Sequence, residues 1–341
     1  MFFVDGTISA GCVDTHLGRE KSRNRKDREE GTQVWPEEPP PCKSTRHTHR
    51  VYPSRPAPDQ LDVYYPPAAS ALSTPNGKLP VLFFVYGGGY NTGSRRFPEP
   101  YEMGYRALGS FFAARGFLTV IPDYRLVPEV RFPAASEDLR DALVWIAGHA
   151  GEVAGAATAP ASTRTELDPG CVFILGHSAG AAHTLVLHLY PALRASLRER
   201  AAEVGLRVRG LVLCGSPWYF GVSGEKFATT GPTRFYFGGE AEQKEREPRA
   251  LWGAIGEEDV RAFPEVLIVQ AEREPDWLRV ETRAVMEKEI REKFGSVGRE
   301  VRETYVAAGH NHVSVNWVLG TGDEKGERWG YDVVEWIKTI V

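Results

Sequence analysis

The chain has 341 residues, 42% hydrophobic and 25% charged, which is enough for one large α/β domain or two small ones with a sizeable core. A formal net charge of −4 gives no reason to expect nucleic acid or an anionic membrane as partner. Four scattered cysteines, Cys12, Cys42, Cys171 and Cys214, argue against a disulfide framework or a zinc cluster and for a reducing compartment.

The opening residues, MFFVDGTISAGCVDTH, lack a basic start and a long apolar run, so no secretory signal is expected. No stretch nears about 18 uninterrupted apolar residues, so no stable membrane insertion is expected and the protein reads as cytoplasmic. Residues 1–50 differ from the rest. Arg19–Glu30 is almost wholly charged or polar, and Glu37–Pro41 is acidic and proline-rich. Little there could bury a core, so the segment reads as an arm, either disordered or folded over the site as part of a cap. The basic run Arg19–Arg28 is interrupted by Glu20 and Asp27, unlike a nucleic-acid patch.

From residue 51 onward a single domain is expected. Leu61–Tyr65 alternates as a strand, and Leu79–Val85 (LPVLFFV) reads as a fully buried one that runs into Tyr86-Gly87-Gly88-Gly89. Residues 101–115 carry apolar positions at helical spacing before Gly116. Phe117–Pro122 is the next strand and Ala135–His149 an amphipathic helix. Cys171–Leu175 is a strand, and a helix runs from Ala179 to Tyr190, where Pro191 ends it. After the strand Gly210–Cys214, residues 216–260 lack a clear period and are rich in aromatics, as a cap or lid insertion would be. Strand Val266–Gln270, helix Leu278–Phe294, strand Glu300–Val306 and helix Trp329–Val341 complete the chain. Alternating strands and helices predict an α/β fold with a mostly parallel central sheet and helices on both faces. In such sheets ligands bind beyond the carboxyl ends of the strands.

Four segments that follow strands carry chemistry. Gly176-His177-Ser178-Ala179-Gly180 is a Gly-x-Ser-x-Gly elbow between a strand and a helix, which makes Ser178 a candidate nucleophile. Serine needs a base, and histidine titrates near operating pH. His310 and His312 both lie after a strand. His177 reads as structural or as a pocket wall, and His183 and His188 as helix residues. A carboxylate must orient the base. Glu274, before Pro275, would leave the strand end at about the right distance, while Asp276 could serve instead or simply cap the following helix. Backbone amides of Gly88, Gly89 and Ala179 could form a three-donor oxyanion hole.

These residues resemble the hormone-sensitive-lipase-like (fold-3) branch of the α/β-hydrolases. The resemblance rests on the glycine run Tyr86–Gly89, on Asp123-Tyr124-Arg125-Leu126-Val127-Pro128-Glu129 with Phe132-Pro133-Ala134 and Asp138, on the elbow, and on Gly309–His312. It spans roughly residues 60–341. It implies the α/β-hydrolase fold and a Ser-His-acid hydrolase of small-molecule carboxylic esters with short to medium acyl or aryl groups, needing no metal or cofactor. The family pattern places the base three residues after the glycine, at His312. Two positions depart from it: Tyr86 stands where the family usually has His, and Glu274 where it commonly has Asp. An amidase similar to kynurenine formamidase is the alternative reaction, and a non-catalytic binding protein, as in the gibberellin receptors, the alternative of another class. Oligomeric state and natural substrate are not legible.

Overall fold

A computed structural model of the chain describes residues 45–50, 60–67, 72, 74–156, 166–220 and 230–341. Its centre is an eight-stranded sheet, in the order β1-β2-β4-β3-β5-β6-β7-β8. The strands are β1 (Thr45–Arg50), β2 (Gln60–Tyr65), β3 (Leu79–Val85), β4 (Leu118–Pro122), β5 (Leu167–His177), β6 (Val208–Cys214), β7 (Glu265–Arg273) and β8 (Tyr305–Asn311). β1, β2 and β4 pair antiparallel, and every pairing from β4 through β8 is parallel. The central strands are buried along their whole apolar length, as LPVLFFV of β3 shows, because helices cover both faces.

On one face lie α1 (Met103–Ala113) and the C-terminal helix. Phe111 and Tyr331 meet there at 5.4 Å between ring centroids, and Trp336 packs on Phe173 of β5. The other face carries α2 (Ala134–Gly148), α3 (Ala150–Ala156), α4 (Ala179–Leu189) and α5 (Pro191–Val204). There the Ser136 hydroxyl donates to the His183 carbonyl at 3.0 Å and ties α2 to α4. Between β6 and β7 the chain forms α6 (Thr230–Phe237), α7 (Glu240–Arg246), α8 (Pro248–Ala254) and α9 (Glu257–Arg261). A π-helical turn, Trp277–Thr282, leads into α10 (Arg283–Ser296); α11 (Ser314–Trp317) and α12 (Arg328–Lys338) follow β8.

Several expected boundaries move. The strand expected at Glu300–Val306 is Tyr305–Asn311, so His310 lies inside it and His312 directly after it. Pro191 ends one helix and begins another. It sits at the first position of α5, where its missing N–H costs no hydrogen bond. Within the expected N-terminal arm, Thr45–Arg50 is the edge strand β1, and the remainder, residues 1–44, lies outside the described residues.

Candidate active site

The sheet register assembles the site. β3 pairs with β5 so that Val85 faces Gly176, which brings the glycine loop and Ser178 out side by side. The next pairings, His177 with Cys214 and Cys214 with Val269, carry the line across to β7. At the far end Arg273 pairs with Asn311, and the residues that follow these strand ends are Glu274 and His312. Four chain segments far apart in sequence thus meet at one sheet edge.

Ser178 sits at φ 53°, ψ −123°, a backbone geometry that costs energy for a residue with a Cβ. The turn is tight enough that a Cβ on Gly176 would lie 2.6 Å from Ala181 Cα, and one on Gly180 would collide with the Val85 and Tyr86 carbonyls. Small residues on either side therefore let α4 start directly against β3. The Ser178 amide donates to the Cys214 carbonyl at 2.9 Å, which pins the elbow to β6.

Ser178 Oγ lies 2.8 Å from His312 Nε2, and His312 Nδ1 lies 2.7 Å from Glu274 Oε2. Glu274 is 5% exposed while the His312 side chain keeps 26% of its surface, so the carboxylate is enclosed and the imidazole reaches solvent. The carboxylate accepts a hydrogen bond from Nδ1–H, leaving Nε2 as the acceptor that faces the serine. Asp276 is turned outward. Its carboxylate is 75% exposed and accepts from Arg279 at 2.7 Å. His310 points away as well, with Nε2 2.9 Å from the Gly326 carbonyl and Nδ1 3.3 Å from Ser314 Oγ, where it braces the turn after β8.

His177, inside the elbow, has a defined task. Its Nε2–H donates to the His312 carbonyl at 2.8 Å, and its ring lies 4.7 Å from the His312 ring. Burial, then the neighbouring His312 imidazole, hold its pKa well below the ordinary histidine range, so it remains neutral. His183 and His188 are also buried and neutral, pushed down to about 3 and about 4 by desolvation.

The glycine loop folds over the elbow. Gly88, at φ 141°, has no room for a side chain, because a Cβ would strike the Thr92 carbonyl. Thr92 donates to the Gly88 carbonyl through both its amide, at 3.0 Å, and its hydroxyl, at 2.7 Å. Ala179 opens α4, where backbone N–H groups have no partner inside the helix. Tyr90, next in the loop at φ 74°, packs against Tyr236 and Phe237 of α6 at 5.1 and 5.8 Å, so the insertion between β6 and β7 rests on the glycine loop. Among the described residues no group of three or more His, Cys, Asp or Glu side chains could hold a metal ion, and no helix is long and apolar enough to cross a membrane.

A parallel sheet with an elbow serine at one strand end and a histidine after the last strand defines an α/β-hydrolase. The chain belongs to the hormone-sensitive-lipase-like fold-3 family of that class, whose alpha/beta hydrolase fold profile matches residues 82–313. Among curated relatives, it is 31% identical over 123 residues to the non-reducing polyketide synthase atr1 of Stereocaulon alpinum, covering 35% of this chain and 4% of that one. It is 34% identical over 118 residues to the tuliposide A-converting enzyme b1 of Tulipa gesneriana, covering 34% of this chain and 29% of that one. The match thus spans less than a third of the length of either. Carboxyl esterase 2 of Tuber melanosporum superposes with a TM-score of 0.59 at 18% identity, covering 87% of this chain and 88% of that chain, a likeness of fold.

Proposed function

We propose that the protein is a serine hydrolase of small-molecule carboxylic esters. The observation that carries this is the line from Ser178 Oγ through His312 to Glu274, with both contacts at or below 2.8 Å and the serine on a strained elbow. In this reading His312 Nε2 takes the Ser178 proton as Oγ bonds to the ester carbonyl carbon. Negative charge develops on the carbonyl oxygen against the amides of Gly88, Gly89 and Ala179. Glu274 stabilises the imidazolium and holds its tautomer without taking the proton itself. The imidazolium then protonates the departing alkoxide, leaving an acyl-serine. Water, deprotonated by the same His312, attacks that acyl group, and its proton returns to Oγ as the acid is released. No metal or cofactor enters this scheme.

The buried, free thiols of Cys171 and Cys214 support a cytoplasmic setting. The test is hydrolysis of p-nitrophenyl esters of increasing acyl length by wild type and Ser178→Ala. Activity that vanishes in the variant supports the reading, and the chain-length optimum sizes the acyl site. A folded wild type that cleaves no ester overturns it. Turnover of N-formyl amides instead would move the protein to the amidases, and failure on both would favour a binding protein.

A further inference from the structure

Both ends of the glycine loop converge on one carboxylate. At the start of the loop, the Tyr86 hydroxyl donates to Asp123 Oδ1 at 3.0 Å. At its end, the Arg95 amide donates to the same oxygen at 2.9 Å, and the Arg95 guanidinium pairs with Oδ2. Asp123 follows β4, the neighbour of β3 on the side away from Ser178, and its own amide donates to the Gln60 carbonyl of β2 at 2.9 Å. The carboxylate is therefore fixed to the sheet, and the loop is fixed to the carboxylate.

The partners of this carboxylate are themselves held. Tyr86 is 1% exposed and stacked on Tyr124 and Tyr105 at 4.7 and 5.8 Å, and its carbonyl accepts from the Tyr124 hydroxyl at 2.7 Å. Burial raises its pKa well above the ordinary phenol value, which keeps the hydroxyl a proton donor. Arg95, its side chain 9% exposed, also donates to Asp62 Oδ1 at 3.3 Å and to Gln60. Its charge balances Asp123 inside the fold, as a buried carboxylate requires.

We propose that Asp123 is a positioning residue that closes the oxyanion loop, with Tyr86 and Arg95 as the two ends of the clasp. The proposal rests on the hydrolase reading of the Ser178 site. An oxyanion hole works only if its donors are already placed where the charge develops. Gly88 and Gly89 lie between the two clasped ends, so their amides are held at both sides without either glycine touching Asp123. The tyrosine at position 86 is what makes the first of the two bonds, since its hydroxyl reaches past the ring stack to the next strand.

The test is Tyr86→Phe, which removes one hydroxyl and leaves the ring to stack, with Asp123→Asn beside it. Two quantities are read: kcat and KM for a p-nitrophenyl ester, and backbone hydrogen exchange in peptides covering residues 86–95. The expected result is kcat lower by about ten-fold or more at nearly unchanged KM, the scale of a weakened oxyanion donor, together with exchange in that segment faster by several-fold. Unchanged exchange in folded Tyr86→Phe overturns the clasp, whatever happens to kcat. Faster exchange with unchanged kcat overturns its role in positioning. A wild type that cleaves no ester defeats the hydrolase reading, and the exchange measurement then still decides whether the clasp exists. Should Asp123→Asn fail to fold, Tyr86→Phe alone decides.

Discussion

Glu274 Oε2 lies 2.7 Å from His312 Nδ1, while the other oxygen of the same carboxylate, Oε1, is buried with no hydrogen-bond partner among the described residues. The acid is thus committed to the histidine and has little else to hold it in place. Glu274→Gln would keep the shape but offer the ring an amide in place of a charge. Loss of the orienting carboxylate in serine-protease triads lowers kcat by about 10⁴, and a drop of roughly 10² to 10⁴ is expected here. Asp276→Ala should stay within about two-fold of wild type, since it removes only an exposed ion pair of marginal worth. Steady-state kinetics of the two variants side by side would decide between the carboxylates, and the opposite ranking would refute the assignment of Glu274.

Gly215, just past β6, forms the floor under that pair. It sits at φ 54°, and a Cβ there would come within 2.8 Å of Glu274 Oε1 and 3.0 Å of His312 Nδ1. Gly215→Ala should therefore displace the acid or the base as well as strain the backbone by about 1 kcal/mol. Expected is a kcat at least about ten-fold lower with a melting temperature only a few degrees down. A variant with full activity would show that the pair tolerates crowding from this side.

The same region shows what sequence alone could and could not reveal. The elbow was legible because Gly-x-Ser-x-Gly between an apolar strand and an apolar helix is a local pattern, and Leu79–Val85 was legible because a fully buried strand is continuously apolar. The choice between Glu274 and Asp276 was not local. It depends on the pairing of Arg273 with Asn311, which sets which side chain turns toward His312. Nor did any motif mark Gly215 or the contact between Tyr86 and Asp123, which exist only once β6 lies beside β7 and β8 and β3 beside β4. The helices between β6 and β7 were hidden for another reason: at five to eight residues each they are too short to display a period. Thr45–Arg50 is an edge strand made of Thr, Arg and His alone, so it has no apolar face to reveal it.

His177 donates to the carbonyl of His312, so it should control the base through the backbone of its loop. His177→Phe would leave that partly buried carbonyl without its donor, at a cost of about 1 kcal/mol, and let the loop shift. A kcat reduction with KM little changed is expected, whereas His177→Gln, which keeps an N–H donor, should recover part of the loss. If the two variants behave alike in kinetics and in thermal melts, the bond does not position His312.

Stability should fall on mild acidification, and the sign follows from three buried histidines. His183 and His188 have folded pKa values lowered to about 3 and about 4, and His177 is lowered as well, all by desolvation first. Unfolded, each would titrate near the ordinary value of about 6.5. The neutral rings therefore contribute stability fully above that pH, and it is lost as pH falls toward the folded values, because the unfolded chain binds the extra protons. Glu247 works in the opposite direction. Burial raises its pKa from 4.5 to about 7, so its native form gains a proton early, and its contribution is present at low pH and lost as pH rises toward 7. Three protons favouring the unfolded chain against one favouring the native leave a net slope of about two protons between roughly pH 6 and 5. Urea unfolding across that interval should show the free energy of unfolding falling with this slope. His188→Leu, which removes one titrating ring, should reduce it to about one proton. A flat profile in wild type would mean that these rings are not held neutral in the fold.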